Sequence, residues 1–571
     1  MAVVDRRIGL LFTGFVALLA LAVCRAAYLG VFRSAALRSA ADLQQVQTVA
    51  IPAERGELLD RDGQVLALSQ SVDEVVANPI LIGKDGDAAT IAAKIAPLLQ
   101  MSQQTVLSDL TKTGTGYVPL SSNVPGAQAT AIEAMHLNGL SFVPTEERIY
   151  PRGGEAPQAL GFTNAAGNGA DGLEYMFNGI LHGTTGIRRV VNDAQGNAIS
   201  VTTPKQMVPG KNVQLTISSP LQQVVQNALD AAADTYRPSR ATAIVTDPQT
   251  DQVLAVANWP TFNEADTAQV TPAQIADWAV DLSYEPGSTF KVVTVGGALQ
   301  RGTITPNTEI YVPSQLDEWG KTIDDAEYHP SEDMTVAQIL KVSSNIGADE
   351  IANTKLGANA FAGWVDRDGF GKPTGVDLAG EQSGVVLPES DYSGVSMWNL
   401  PFGQGLEVTP MQMVQLYDAI ANGGILRTPM TVMSIGGKAV REPAGKRIFS
   451  TTVAAELREM LRGVFADGGT ASGAQIPGYD LAGKTGTAQD VVDGKYSNTL
   501  YTGSFIGMVP ASNPKLVVSV VMDGVDEGYG GTVAAPVFQK IVGWAVPYLG
   551  INPCPGRCPA SAYASATANS L

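Results

Sequence analysis

Arg6 and Arg7 are followed by a run without charge from Ile8 to Cys24, and no second run of this kind occurs in the 571 residues. A helix that crosses the hydrocarbon core of a bilayer needs about 20 mostly apolar residues. The uncharged part sits at the short end of that range. Arg25 interrupts it, Ala26 to Phe32 are again mostly apolar, and an arginine here can snorkel its head to the interface. The chain is therefore expected to cross a membrane once, as a single-pass anchor over residues 8–32. Charge orients it weakly, because Arg25, Arg33 and Arg38 lie on the other side of the run. Length orients it better: residues 1–7 form only a stub, so the foldable body is expected on the far, extracytoplasmic side of the plasma (inner) membrane. Two other readings stand beside an uncleaved anchor. Ala20 and Ala22 could form a small-x-small cleavage site. Leu21-Ala22-Val23-Cys24 has the outline of a lipoprotein site, but Val23 is large for the position before the cysteine.

The rest of the chain is long enough for two or three domains. Its formal net charge of -18 argues against a nucleic-acid partner, because phosphate binding needs a basic surface. Besides Cys24 there are two cysteines, Cys554 and Cys558, in the tail as Cys-Pro-Gly-Arg-Cys. In an oxidising compartment they could pair, or they could remain two tail thiols. With these cysteines and three histidines, His136, His182 and His329, no zinc site is expected, and the histidines are assigned no role. No metal and no cofactor is called for. The six tryptophans are scattered and read as packing residues.

From Ile51 to about Pro209 short strands, Gly-rich loops and short helices alternate, and no catalytic set stands out. Asp62-Gly63 reads as a hairpin turn, and Ala88 to Leu99 and Ala127 to Leu137 as helices. This stretch is expected to be an accessory domain. Further on, Ala241 to Thr246, Val253 to Ala257, Ser504 to Val509 and Leu516 to Met522 are apolar runs with turn signals between the members of each pair. They are expected to form one antiparallel sheet. Helical patterns lie between them. Thr409-Pro410 starts one, with apolar face Met413, Leu416, Tyr417 and Ile420, and Gly423-Gly424 ends it. Others run over about 452–465 and 535–546. Strands at both ends with helices inserted give an α+β layer fold. The Pro-, Ala- and Ser-rich tail 551–571 is expected to be disordered.

Ser288-Thr289-Phe290-Lys291 opens an apolar stretch, Val292 to Leu299. A helix starting here puts Ser288 and Lys291 on one face, so the lysine can take the serine proton if burial or a nearby cation lowers its pKa. The motif alone is weak, since Ser512 to Lys515 repeats its spacing, but Pro514 forbids a regular helix there. Ser343-Ser344-Asn345 has a double at Ser121-Ser122-Asn123, and Lys484-Thr485-Gly486-Thr487 has one at Lys112-Thr113-Gly114-Thr115. Order and context separate the sets. Ser343 and Asn345 fall on a turn between two helices. Lys484 to Thr487 begins the segment leading into the last strands and can offer backbone groups to an extended substrate at a sheet edge, with Gly486 allowing close approach.

These three motifs in this order resemble the penicillin-binding proteins and related β-lactamases. Arg55-Gly56, Asp60-Arg61-Asp62-Gly63, Tyr150-Pro151 and Gly172-Leu173-Glu174 resemble the pedestal of class B members. Gly403-Gln404-Gly405 and Ala534 to Ile541 resemble later class B segments. The Ser-Ser-Asn form and closing region are most similar to the division-specific, septal type, though the elongation type shares most of these motifs. The resemblance implies a penicillin-binding/serine-β-lactamase-like transpeptidase domain over 209–550 on an elongated pedestal of the class B dimerisation type over 45–208. It implies a D,D-transpeptidase that cross-links D-Ala-D-Ala stem peptides of peptidoglycan and is acylated by β-lactams. By the same resemblance, Ser288 is the nucleophile and Lys291 its base. Ser343 passes the proton to the leaving amine and Asn345 holds Lys291 and the substrate amide. Lys484 keeps the site positive. Thr485 and Thr487 take the terminal carboxylate, and the N–H groups of Ser288 and Thr487 form the oxyanion hole. Its partners would be a SEDS-family glycosyltransferase and divisome membrane proteins. A hydrolase, either a β-lactamase or a D,D-carboxypeptidase, is the competing enzyme class, and the pedestal and anchor disfavour the β-lactamase. An antibiotic sensor would need a signalling domain that the stub cannot form, and a fused glycosyltransferase would need more than this accessory stretch.

Overall fold

A computed structural model describes residues 2–33, 46–192, 198–492, 494–555, 558 and 561–563. The N-terminal apolar run is one helix, Ala2–Val31. Its stretch Arg7–Val31 has a mean hydropathy of 2.2 and is not buried inside the protein. Arg25 does not break this helix. Arginine is a good helix former, and its guanidinium lies 5.7 Å from the Tyr28 ring one turn on.

The chain divides into two compact units. The smaller comprises Met1–Glu54, Ser71–Glu147 and Gly183–Gly210. Strands Val46–Ile51, Gly186–Asn192 and Ala198–Lys205 form an antiparallel sheet there. Residues Val72 to Ala77 pair with the strand Val118–Pro125. Helices Ala88–Ile95, Gln103–Leu110 and Gly126–Glu133 bury Ile91, Ile95, Val106, Leu110 and Ile132 in one apolar cluster with Val75 and Val124. The doubles of two motifs are here: Ser121 to Asn123 lie on a strand, and Lys112 to Thr115 form an irregular segment after a helix.

The larger unit holds Arg55–Gln70, Arg148–His182 and Lys211–Leu571. The first two segments were expected in the pedestal. Buried charge joins these two segments to each other, and strand pairing joins the first to the later chain. Arg55 Nε and Arg148 Nε donate to the two carboxylate oxygens of fully buried Glu174, at 2.6 and 2.7 Å. Leu58–Leu59 pairs in parallel with Val213 and Gln214.

At the centre of the larger unit is a five-stranded antiparallel sheet in the spatial order Gln252–Trp259, Arg240–Asp247, Leu516–Asp526, Lys495–Val509, Ala482–Val492. The four expected runs are its first four strands. The fifth, carrying Lys484 to Thr487, is added at the edge. Successive residues serve opposite faces, as a strand requires. Ala243, Val245, Val518 and Val520 pack with helices Ser219–Tyr236 and Ala535–Tyr548. Val517, Val521 and Ile506 pack with helices Lys291–Gln300 and Thr451–Arg462.

Helix Pro410–Ala421 departs from expectation: every residue in it is buried, not one face. Its polar residues find internal partners. Gln412 completes the capping box with Thr409 and donates to Lys372 O and Ser383 O, and Thr246 Oγ1 donates to Asp418 Oδ1 at 2.7 Å. The expected disorder of the tail fails for its described part. Ile551 is buried, Cys554 N–H donates to Gly478 O, and Cys554 and Cys558 are disulfide-bonded. Ser561 and Ala562 hydrogen-bond to Glu459, which docks Tyr563 against the helical core.

Candidate active site

The three motifs converge on one place in the larger unit. Gly287–Phe290 is a single 3-10 turn that runs into the helix Lys291–Gln300. Residues three apart eclipse in such a turn, which sets Ser288 and Lys291 in line on one face. The turn is fixed from several sides. Gly287 has φ +54, its N–H donates to Gly403 O at 3.0 Å, and a Cβ here would come within 2.6 Å of Thr487 O. Only glycine meets both demands. Thr289 Oγ1 donates to Pro286 O, and Tyr417 OH from the buried helix donates to Thr289 O at 3.0 Å. Ser288 is half-buried, while Lys291 is completely enclosed.

Ser343 ends the helix Val336–Val342 in the left-handed conformation, φ +65, which is costly for a residue with a side chain. Ser344 then caps the helix Asn345–Ile351 by accepting from Gly347 N–H. The sharp reversal turns three acceptors toward one amine. Lys291 Nζ donates to Ser343 O at 2.5 Å and to Asn345 Oδ1 at 2.8 Å, with Ser343 Oγ at 3.3 Å.

Lys484 is also completely buried, on the edge strand, with Thr485 O at 3.3 Å and Thr485 Oγ1 at 3.4 Å from its Nζ. Thr485 Oγ1 is hydrogen-bonded to Thr470 Oγ1 at 2.8 Å, and Thr487 Oγ1 accepts from Gly530 N–H at 3.1 Å. A side chain at Gly486 would strike Ser504 Oγ at 2.2 Å and Pro286 O at 2.7 Å. The edge strand and the Ser288 turn are therefore in direct backbone contact. By contrast, the turn at Ser512 is pinned by Asp480, which accepts its N–H, between the last two strands of the sheet.

Burial dominates the electrostatics. It pushes the Lys291 ammonium down to about 7, against the pull of Asp325 and Asp349. It pushes Lys484 well below the ordinary lysine range, and the charge of Lys291 pushes it further. Two ammonium groups this enclosed and mutually repelling do not both stay charged near neutral pH. Asp349 is itself fully buried and neither of its carboxylate oxygens has a hydrogen-bond partner. Burial raises its carboxyl well above the usual range, with Lys291 opposing.

Sequence reasoning brought together Ser288, Lys291, Ser343, Asn345, Lys484, Thr485, Gly486 and Thr487, and the structure gathers them around Lys291 and the edge strand. It missed Asp325, Asp349, Tyr417 as a prop of the turn, and Thr470. Asp349 had a legible signal, since four residues after Asn345 is one helical turn on the same face. Asp325 had none, being in a loop without a motif. Among the described residues no cluster of His, Cys, Asp and Glu could hold a metal ion.

Comparison with known proteins agrees with this geometry. Residues 241–543 match the family model of the penicillin binding protein transpeptidase domain, and residues 50–215 match that of the penicillin-binding protein dimerisation domain. The chain belongs to the class B penicillin-binding proteins. A class B protein of this kind is a peptidoglycan D,D-transpeptidase, and its relatives carry that description. The probable peptidoglycan D,D-transpeptidase PenA of Neisseria gonorrhoeae is 29% identical over 96% of this chain and 93% of its own. The peptidoglycan D,D-transpeptidase FtsI of Escherichia coli K12 is 30% identical over 94% of this chain and 90% of its own. The solved penicillin binding protein 3 of Mycobacterium tuberculosis superposes with a TM-score of 0.70 at 27% identity, covering 90% of this penicillin-binding protein and 99% of that chain.

Proposed function

We propose that Ser288 is the acylated residue of this transpeptidase and that Lys291 is its general base. The observation that carries the reading is the enclosure of Lys291, which lies three residues past Ser288 across a 3-10 turn and is poised at about 7. A base near the working pH is unprotonated in about half of the molecules and remains strong enough to accept a proton. Lys291 takes the Ser288 hydroxyl proton as Oγ attacks the penultimate D-alanine carbonyl. The oxyanion is held by the N–H groups of Ser288 and Thr487, an effect worth roughly 3 kcal/mol per donor. The C–N bond to the last D-alanine breaks, and the proton reaches that amine through Ser343. An amine of a second stem then attacks the ester, which joins the two stems and returns the proton to Ser288.

Lys484 has a second part in this scheme. Its ammonium is disfavoured in the free enzyme by burial and by Lys291. A substrate carboxylate bound by Thr485 and Thr487 would favour the charged form of Lys484. The recharged Lys484 would then drive the proton from Lys291. Substrate binding itself thus readies the base.

The body, residues 45–550, would stand on the extracytoplasmic side of the plasma membrane, held by the Arg7–Val31 helix. β-Lactams would acylate Ser288 as substrate mimics, as fits the relative solved with aztreonam. The Ser343-Ser344-Asn345 form and the closing region favour septal synthesis, with a SEDS-family glycosyltransferase and divisome proteins as partners. Labelling with a fluorescent penicillin tests the chemistry: Ser288→Ala abolishes it and Ser512→Ala does not. Labelling of Ser288→Ala at the normal rate would refute the assignment. Rapid multiple turnover of a β-lactam would replace the transferase reading with a hydrolase. A fluorescent fusion tests the role. Division-site placement supports septal synthesis, and uniform side-wall placement indicates the elongation type.

A further inference from the structure

Lys291 is held through Asn345, and Asn345 is held by a loop outside the three motifs. Asn345 Nδ2 donates to Asp324 O at 3.0 Å. The backbone N–H groups of Asn345 and Ile346 both donate to Asp325 Oδ1, at 2.5 and 3.0 Å. The other oxygen, Asp325 Oδ2, faces His329 Nε2 at 2.9 Å, and His329 Nδ1 faces Pro330 O at 2.8 Å. Glu332 Oε1 is 3.9 Å from the same Nδ1.

A neutral imidazole carries one N–H and one lone pair. Both nitrogens of His329 meet oxygen acceptors, so both contacts are hydrogen bonds only when the ring is an imidazolium. Without its second proton, one nitrogen lone pair would point at an acceptor. The charged groups around the pair are few. Asp325 and Glu332 face His329 directly. Lys291 from the nucleophile helix and Asp349 from the helix Asn345–Ile351 act on Asp325.

We propose that His329 and Asp325 form a positioning pair that clamps the Ser343–Asn345 turn onto Lys291. The proposal rests on the reading of Ser288 and Lys291 given above. His329 fixes the Asp325 carboxylate, and Asp325 Oδ1 fixes the two backbone N–H groups at the start of the helix Asn345–Ile351. That start aims Asn345 Oδ1 and Ser343 O at Lys291 Nζ.

The test is the rate of Ser288 acylation by a fluorescent penicillin, measured on the full chain in detergent. His329→Leu acylates about 10- to 100-fold more slowly, the loss expected from an ångström of misplacement. His329→Gln keeps one N–H for Asp325 and restores most of the rate. Asp325→Ala is slowed like His329→Leu and supplies the same reading if His329→Leu does not fold. Asp325→Asn keeps a carbonyl oxygen for the two backbone N–H groups and is slowed less. His329→Leu and Asp325→Ala acylating at the wild-type rate, or His329→Gln as slow as His329→Leu, overturns the clamp. Those failures leave Ser288 labelled. Retained labelling of Ser288→Ala would instead end the underlying assignment.

Discussion

Two buried charge clusters in the larger unit are built from similar groups and do opposite things. Around Glu174, Arg55 and Arg148 take one carboxylate oxygen each, and Asn178 Oδ1 and Glu174 O accept further guanidinium N–H groups at 2.7 and 2.8 Å. Around Lys291, Lys484 and Asp349 are equally enclosed, but the Asp349 carboxylate has no hydrogen-bond partner and no carboxylate hydrogen-bonds to Lys291. A carboxylate answered by two guanidinium groups ties distant parts of the chain together. An amine answered only by neutral oxygens is left near the point of losing its proton. The difference between a strut and a catalytic site here is whether the buried charge has been neutralised by a partner.

This contrast can be broken in order of effect. Lys291→Met should slow acylation of Ser288 by about 10²–10⁴-fold, the range of general-base catalysis, without lowering thermal stability. A loss of fold would mean that Lys291 is a strut after all. Glu174→Ala should do the reverse. It strands two buried guanidinium groups and should cost about 3–5 kcal/mol in chemical denaturation, while the folded fraction acylates at the normal rate. A slowed rate per folded molecule would tie that cluster to the chemistry.

A third test uses linkage. The folded pKa of Lys291 lies below its unfolded value, so the unfolded chain binds more protons between about 7 and 10.5. Stability relative to Lys291→Met should therefore rise with pH across that window and be flat below it. The smallest effect belongs to Asp349. Its folded pKa is raised, so the native state holds the extra proton and stability falls as pH rises above the usual carboxylate range. Asp349→Asn should remove that slope and leave acylation near the wild-type rate. Denaturation at two pH values on either side of neutrality reads it.

Much of the site was legible because its residues sit on local patterns. Ser288 and Lys291 are three apart, Ser343 and Asn345 flank one helix start, and Gly486 sits where a strand must pass close to another backbone. The helix Pro410–Ala421 was legible as a helix from Thr409-Pro410, but its full burial was not. Period alone cannot tell a half-exposed helix from one whose polar residues find internal partners. The assignment of Arg55–Gln70 and Arg148–His182 to the larger unit was hidden for a similar reason. It depends on Leu58–Leu59 pairing with Val213 and Gln214 far along the chain, and on Glu174 meeting Arg55 across 119 positions of sequence.

By itself the sequence determined the N-terminal apolar helix, the strands of the central sheet and the order of the three motifs, because each follows from composition, period or spacing over a few residues. Tertiary structure decided what those groups can do. The Lys291 ammonium is pushed down because distant segments seal it from water, and Asp325 and His329 reach Asn345 only because a loop without a motif folds back on it. Desolvation and long-range hydrogen bonds are properties of what surrounds a residue, and no neighbour in sequence reports them.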